Sequence, residues 1–126
     1  MNTNADIEPR ENIEPQKTNP QLIDGVIGYV ANSVVSKTIV DKPTTTISLL
    51  SFDNGEGMIE KTCPFDNFFH ILEGHAEIVI DKVSHLLESG EGIIVPANTA
   101  NFIKPNGRFK MILTIIKNQD ERIAIL

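Results

Sequence analysis

The sequence predicts an all-β protein, a sandwich or barrel of antiparallel strands, and three observations carry that expectation. Between residues 67 and 101, short apolar runs rich in β-branched residues are separated by Glu73-Gly74, Asp81-Lys82 and Ser89-Gly90-Glu91-Gly92. Gly and Asp interrupt strands and β-branched residues fill them, and this spacing leaves no room for a helix of ordinary length. No stretch sustains an apolar period of 3.6 residues. Finally, residues 109–116 form an apolar run whose alternate faces are Phe109, Met111, Leu113, Ile115 and Lys110, Ile112, Thr114, Ile116. One face is wholly apolar and the other half apolar, the pattern of a strand covered on both sides by a second sheet or another subunit.

Residues 1–21 are polar and hold Pro9, Pro15 and Pro20, with acidic residues outnumbering basic ones. Too little apolar surface is present there to offset the entropy of ordering, so a flexible segment is expected, with an arm clasping a partner as the functional alternative. A single domain is expected over residues 22–126. An apolar stretch at 25–31 precedes candidate strands at 34–40 and 44–52. Asp53-Asn54-Gly55-Glu56-Gly57 then reads as a solvated turn. Residues 58–62 form a short candidate strand, and Pro64 makes 63–66 a loop or bulge. After the central runs, Lys104-Pro105-Asn106-Gly107 marks a second turn before 109–116. The closing Ile123-Ala124-Ile125-Leu126 is too apolar to be left free.

With 126 residues the chain suits one core without staples. Its formal net charge of -6 argues against nucleic acid, whose binders release counterions through basic patches, and against anionic membranes. No apolar run reaches the length of a membrane span, and no basic-then-apolar leader opens the chain. One cysteine, Cys63, precludes an internal disulfide. A cytoplasmic protein is the expectation. No Gly-rich phosphate loop precedes a helix, and nothing spaces Ser, His and Asp as a nucleophile with its base.

Ile71-Leu72-Glu73-Gly74, Ala76-Glu77-Ile78-Val79-Ile80-Asp81 and Gly90-Glu91-Gly92-Ile93-Ile94-Val95-Pro96-Ala97-Asn98 together resemble the small single-domain conserved-barrel cupins. The resemblance is strongest over about residues 55–101 and extends weakly over 34–117. Ser33-Val34-Val35-Ser36-Lys37-Thr38 and Pro64-Phe65-Asp66 are similar to one uncharacterised bacterial branch of that family. The resemblance implies a jelly-roll barrel, the double-stranded β-helix. Many members are dimers, and many hold one divalent metal with three His and one Glu inside the barrel.

Carried onto this chain by motif position, the two His of the first motif fall on Lys61 and Cys63 and its Glu on Asn67. The third His falls on Asn101. All four positions depart from the family pattern. Lys61 is a cation that repels a divalent metal, two amides bind transition metals poorly, and one thiol does not make a site. His70, His75 and His85 read as ordinary edge or surface histidines, with His70 facing away from the interior if Asn67 faces into it.

The sequence therefore leads to a barrel with a degenerate metal site and no resident cofactor. Lys61, Cys63, Asn67, Phe69 and Asn101 are expected to line an interior site for a small ligand carrying a carboxylate or similar acid. The alternative is a metal-dependent enzyme of dioxygenase or isomerase type using atypical ligands. A homodimer is expected from the apolar excess at 109–116 and 123–126.

Overall fold

The computed structural model describes residues 19–117. Nine strands follow one another: β1 (Val34–Lys42), β2 (Thr45–Phe52), β3 (Met58–Lys61), β4 (Asp66–Glu73), β5 (His75–Ile80), β6 (Val83–Glu88), β7 (Gly92–Val95), β8 (Asn101–Ile103) and β9 (Phe109–Ile116). The expected flexible segment falls largely, and the apolar closing residues entirely, outside the described residues.

The strands form a five-stranded sheet, β1-β2-β9-β4-β7, and a four-stranded sheet, β3-β8-β5-β6. Every pairing is antiparallel. Only β1–β2 and β5–β6 are hairpin neighbours within one sheet; elsewhere the chain crosses between sheets, as a jelly roll requires. The β5–β6 hairpin closes on Asp81 and Lys82, with φ of 48° and 70°. Two residues at positive φ match the right-handed twist of the flanking strands. Gly74 joins β4 to β5 at φ 82°, and a Cβ there would collide with the Arg108 carbonyl.

The core lies between the inner faces of the two sheets. Leu50, Phe52, Phe69, Ile71, Val95, Phe109 and Met111 come from the larger sheet; Ala76, Ile78, Leu87 and Ile103 come from the smaller. Phe52 and Phe109 face each other across β2 and β9 and stack with centroids 4.3 Å apart. Such stacking adds about 0.5–1.5 kcal/mol to the area that the rings bury.

The strand β9 runs between β2 and β4, with Phe109 and Met111 on its inner face in the core. Its Lys110 and the adjacent Ser51 of β2 lie on the outer face yet are buried. The cover is the segment before β1. The stretch at 25–31 is not a strand; it crosses the outside of the sheet after a single 3-10 turn at Ile23–Gly25. Lys110 donates to the Asp24 carbonyl at 2.6 Å and Ser51 Oγ to the Gly28 carbonyl at 2.8 Å. Tyr29 donates to Glu73 at 2.6 Å, with Arg108 and Lys110 about 5 Å from its ring centroid. Burial and the Glu73 carboxylate push the Tyr29 phenol well above its ordinary range.

The turn after β2 corrects one expectation. Asp53 is buried rather than solvated. One oxygen accepts the Asn32 amide at 2.7 Å and the other accepts Arg108 Nε at 2.7 Å. These bonds, the Asn32 amide first, lower its pKa from 3.8 to about 2. Asp53 ties the start of β1 to the turn before β9.

Candidate functional site

A bulge in β3 sets the direction of Lys61. Met58 pairs with Ile103 and Lys61 with Asn101, with an irregularity between the two pairs. Strict alternation would send Met58 and Lys61 to opposite faces. With two residues pushed outward, Met58 packs on the core while Ile59 is 88% exposed and Glu60 is exposed. Lys61 consequently turns inward.

There Lys61 Nζ donates to Asn101 Oδ1 at 3.1 Å and lies 5.8 Å from the centroid of the Phe69 ring. Asn101 is 1% exposed. Its Nδ2 donates to the carbonyl of Thr99 at 3.0 Å and approaches that of Lys61 at 3.4 Å, which leaves Oδ1 to meet the ammonium. Thr99 thus orients Asn101, a role carried by a backbone atom that no sequence motif signals.

Among the described residues, no carboxylate pairs with Lys61. Glu60 is exposed beyond the bulge, and Asp66 Oδ1 accepts the Ala97 amide at 2.8 Å. Asp66 therefore pins the loop after β7, and of the two routes open to Lys61, an acidic neighbour or a bound anion, this structure supplies no neighbour. Burial lowers the Lys61 pKa, and the negative charge that Cys63 carries when ionised acts in the opposite direction.

Cys63 is half-buried in the 62–65 loop, and its carbonyl accepts the Asn98 amide at 2.7 Å. Asn67 pairs with Ile115 and Val95 without a register shift, and shares the inner face of β4 with Phe69 and Ile71. It is 3% exposed, and its Oδ1 meets no donor among the described residues. An orphaned buried acceptor costs about 1–3 kcal/mol.

The histidines lie elsewhere. With no bulge at 66–67, His70 faces outward, opposite Ile112 and 6.1 Å from the Phe68 ring. His75 is exposed at the start of β5. His85 is half-buried on the edge strand β6, beside an open groove of about 550 Å³ that Glu91 and Ile93 also line. None of the five interior residues borders that groove. Among the described residues, no group of three or more His, Cys, Asp or Glu is placed to hold a metal. An ammonium, two amides and one thiol do not fit a divalent transition metal. Among the described residues, no helix is long and apolar enough to cross a membrane.

No family model matches the sequence, and no curated protein sequence matches it. Solved structures do. A conserved protein of unknown function from Streptococcus pyogenes superposes with a TM-score of 0.78 at 24% identity, over 90% of this chain and 98% of that one. A cupin 2 conserved barrel domain protein from Leptotrichia buccalis is 28% identical with a TM-score of 0.72, over 75% of this chain and 46% of that one. A cupin superfamily protein from Desulfitobacterium hafniense is 30% identical with a TM-score of 0.78, over 88% of this chain and the whole of that one. With that identity sustained across both chains, on a barrel of the same topology, this protein belongs to the cupin superfamily.

Proposed function

We propose that this protein is a non-catalytic binding module that takes a small carboxylic acid into the barrel interior. The observation that carries the reading is Lys61. Its ammonium is half-buried beside an aromatic ring, and its only hydrogen-bond acceptor among the described residues is a neutral amide. A charge in that setting is costly until a counter-charge arrives. A carboxylate supplies the counter-charge, and Phe69 supplies an apolar wall for its carbon chain. One charged group, two amides and an apolar surround are a common makeup of a small-molecule site.

Lys61 has a second consequence. It stands where the family places a histidine ligand, so the protein carries a fixed cation in place of an acquired one. The inherited metal site is degenerate on this reading, and the binding chemistry is that of an ammonium rather than of a Lewis acid.

Calorimetric titration with propionate tests the proposal. Wild-type protein binds it, and Lys61→Met loses at least tenfold in affinity while keeping its β-rich circular dichroism. Equal affinity of the two proteins would refute the reading. The combined change Lys61→His, Cys63→His, Asn67→Glu and Asn101→His is expected to create transition-metal binding. Stoichiometric iron, manganese, nickel or zinc in the purified natural protein would instead favour a metal-dependent enzyme with atypical ligands.

A further inference from the structure

Two polar groups in the barrel interior lack a complement among the described residues, and they differ in what they demand. Lys61 lacks an anion. Asn67 Oδ1, on a side chain 3% exposed, lacks a hydrogen-bond donor. The two groups flank one apolar wall. Phe69, whose ring centroid lies 5.8 Å from Lys61 Nζ, is two residues along β4 from Asn67 and on the same face. Asn67 and Phe69 therefore face the same interior, and the Phe69 ring stands next to Lys61. Lys61 and Cys63 are partly exposed, whereas Asn67, Phe69 and Asn101 are closed off. Lys61 is thus the more accessible of the two groups and Asn67 the deeper.

We infer that the ligand is a short hydroxy acid, whose carboxylate pairs with Lys61 and whose hydroxyl engages the Asn67 amide; this rests on the acid-binding reading of the same site. A simple alkyl acid leaves Asn67 unsatisfied. An oxo acid offers only another acceptor to an acceptor. An amino acid brings an ammonium beside Lys61, where like charges repel at low dielectric. A hydroxyl donates to the Asn67 Oδ1 that stands without a partner among the described residues.

Matched pairs of acids differing by one hydroxyl test the inference. Wild type and Asn67→Leu are titrated calorimetrically with lactate against propionate and with 3-hydroxybutyrate against butyrate, and pyruvate serves as the oxo control. In wild type, at least one hydroxy acid binds about five- to tenfold more tightly than its partner, and pyruvate gains nothing over propionate. In Asn67→Leu the preference disappears while propionate binds as well as before or better. Equal affinity within both pairs in wild type overturns the inference and leaves the acid reading standing. So does a preference that survives in Asn67→Leu. If no acid binds wild type, or if all bind Lys61→Met equally well, the acid reading itself fails and the hydroxy-acid inference falls with it. The wild-type comparison stands alone should Asn67→Leu fail to fold.

Discussion

Asp53 shows how one side chain can couple distant segments and make stability depend on pH. Its partners lie 21 and 55 residues away in the chain. The folded protein holds its pKa at about 2, against 3.8 for the unconstrained group. A carboxylate with a depressed folded pKa stabilises the fold fully above the unfolded value and loses that stabilisation as pH falls through the folded one. The contribution of Asp53 is thus complete above about pH 4 and fades towards pH 2. Asp53→Asn is expected to lower the thermal midpoint at pH 7 and to flatten its dependence on pH between 4 and 2; an unchanged slope would show that other groups dominate acid unfolding. In the interior the signs are opposite. Lys61→Met removes a charge that burial disfavours and is expected to raise the thermal midpoint at neutral pH. Asn67→Leu removes an orphaned acceptor at similar volume and is expected to add about 1–3 kcal/mol, read by denaturant titration. The positions of Lys61, Cys63, Asn67 and Asn101 were legible only by counting from Gly74 and Pro96 in the cupin-like motifs. The partners of Asp53 were not legible at all, because nothing local in the sequence announces a contact across 55 residues.

At the scale of elements, the strands were legible where turn residues bound them. The run at 109–116 coincides with β9, and 83–88 with β6. The bulge in β3 was not legible. Met58-Ile59-Glu60-Lys61 carries no alternation that separates a regular strand from an irregular one, and the displacement appears only in the pairing with β8. The segment over the larger sheet was hidden for a related reason. Val26, Ile27, Tyr29 and Val30 have the composition of a strand, but the sheet edge at β1 is not extended by them. They cover its outer face instead, held by Tyr29 against Glu73, Arg108 and Lys110. Tyr29→Ala is expected to speed amide exchange through residues 22–31 while leaving exchange in β9 slow; protection unchanged in 22–31 would assign the hold to Ile27 and the backbone bonds. The β5–β6 turn offers a separate check. Lys82 sits at φ 70°, which costs a side-chain-bearing residue about 1 kcal/mol or more. Lys82→Gly is expected to stabilise the protein by roughly 0.5–1 kcal/mol, after allowing for the extra freedom that glycine gives the unfolded chain.

At the scale of the whole molecule, the barrel provides two kinds of surface. Its interior closes over Phe52, Phe69, Phe109 and Met111, which pack around the inner face of β4 that carries Asn67. Its larger sheet keeps apolar residues on the outside, including Ile94 at 43% exposure and Ile116 at 41%, near the half-buried Phe68 and Ile112. We propose that this face joins two copies of the chain, since contiguous apolar surface usually marks an interface and two-fold dimers are the commonest assembly. Light scattering at micromolar concentration is expected to give twice the mass of one chain, and a monomer would refute it. The net charge of -6 sharpens the case for a local anion site, because the protein as a whole repels acids. On the acid-binding proposal, the partly buried Lys61 ammonium supplies the local attraction. The most direct test is therefore the titration of Lys61 itself, followed by carbon NMR at its Cε in lysine-labelled protein, with Lys61→Met assigning the signal. The account predicts a pKa below the ordinary lysine value in the free protein that rises when lactate or propionate saturates the site. A Lys61 that titrates like the surface lysines and ignores both acids would contradict it.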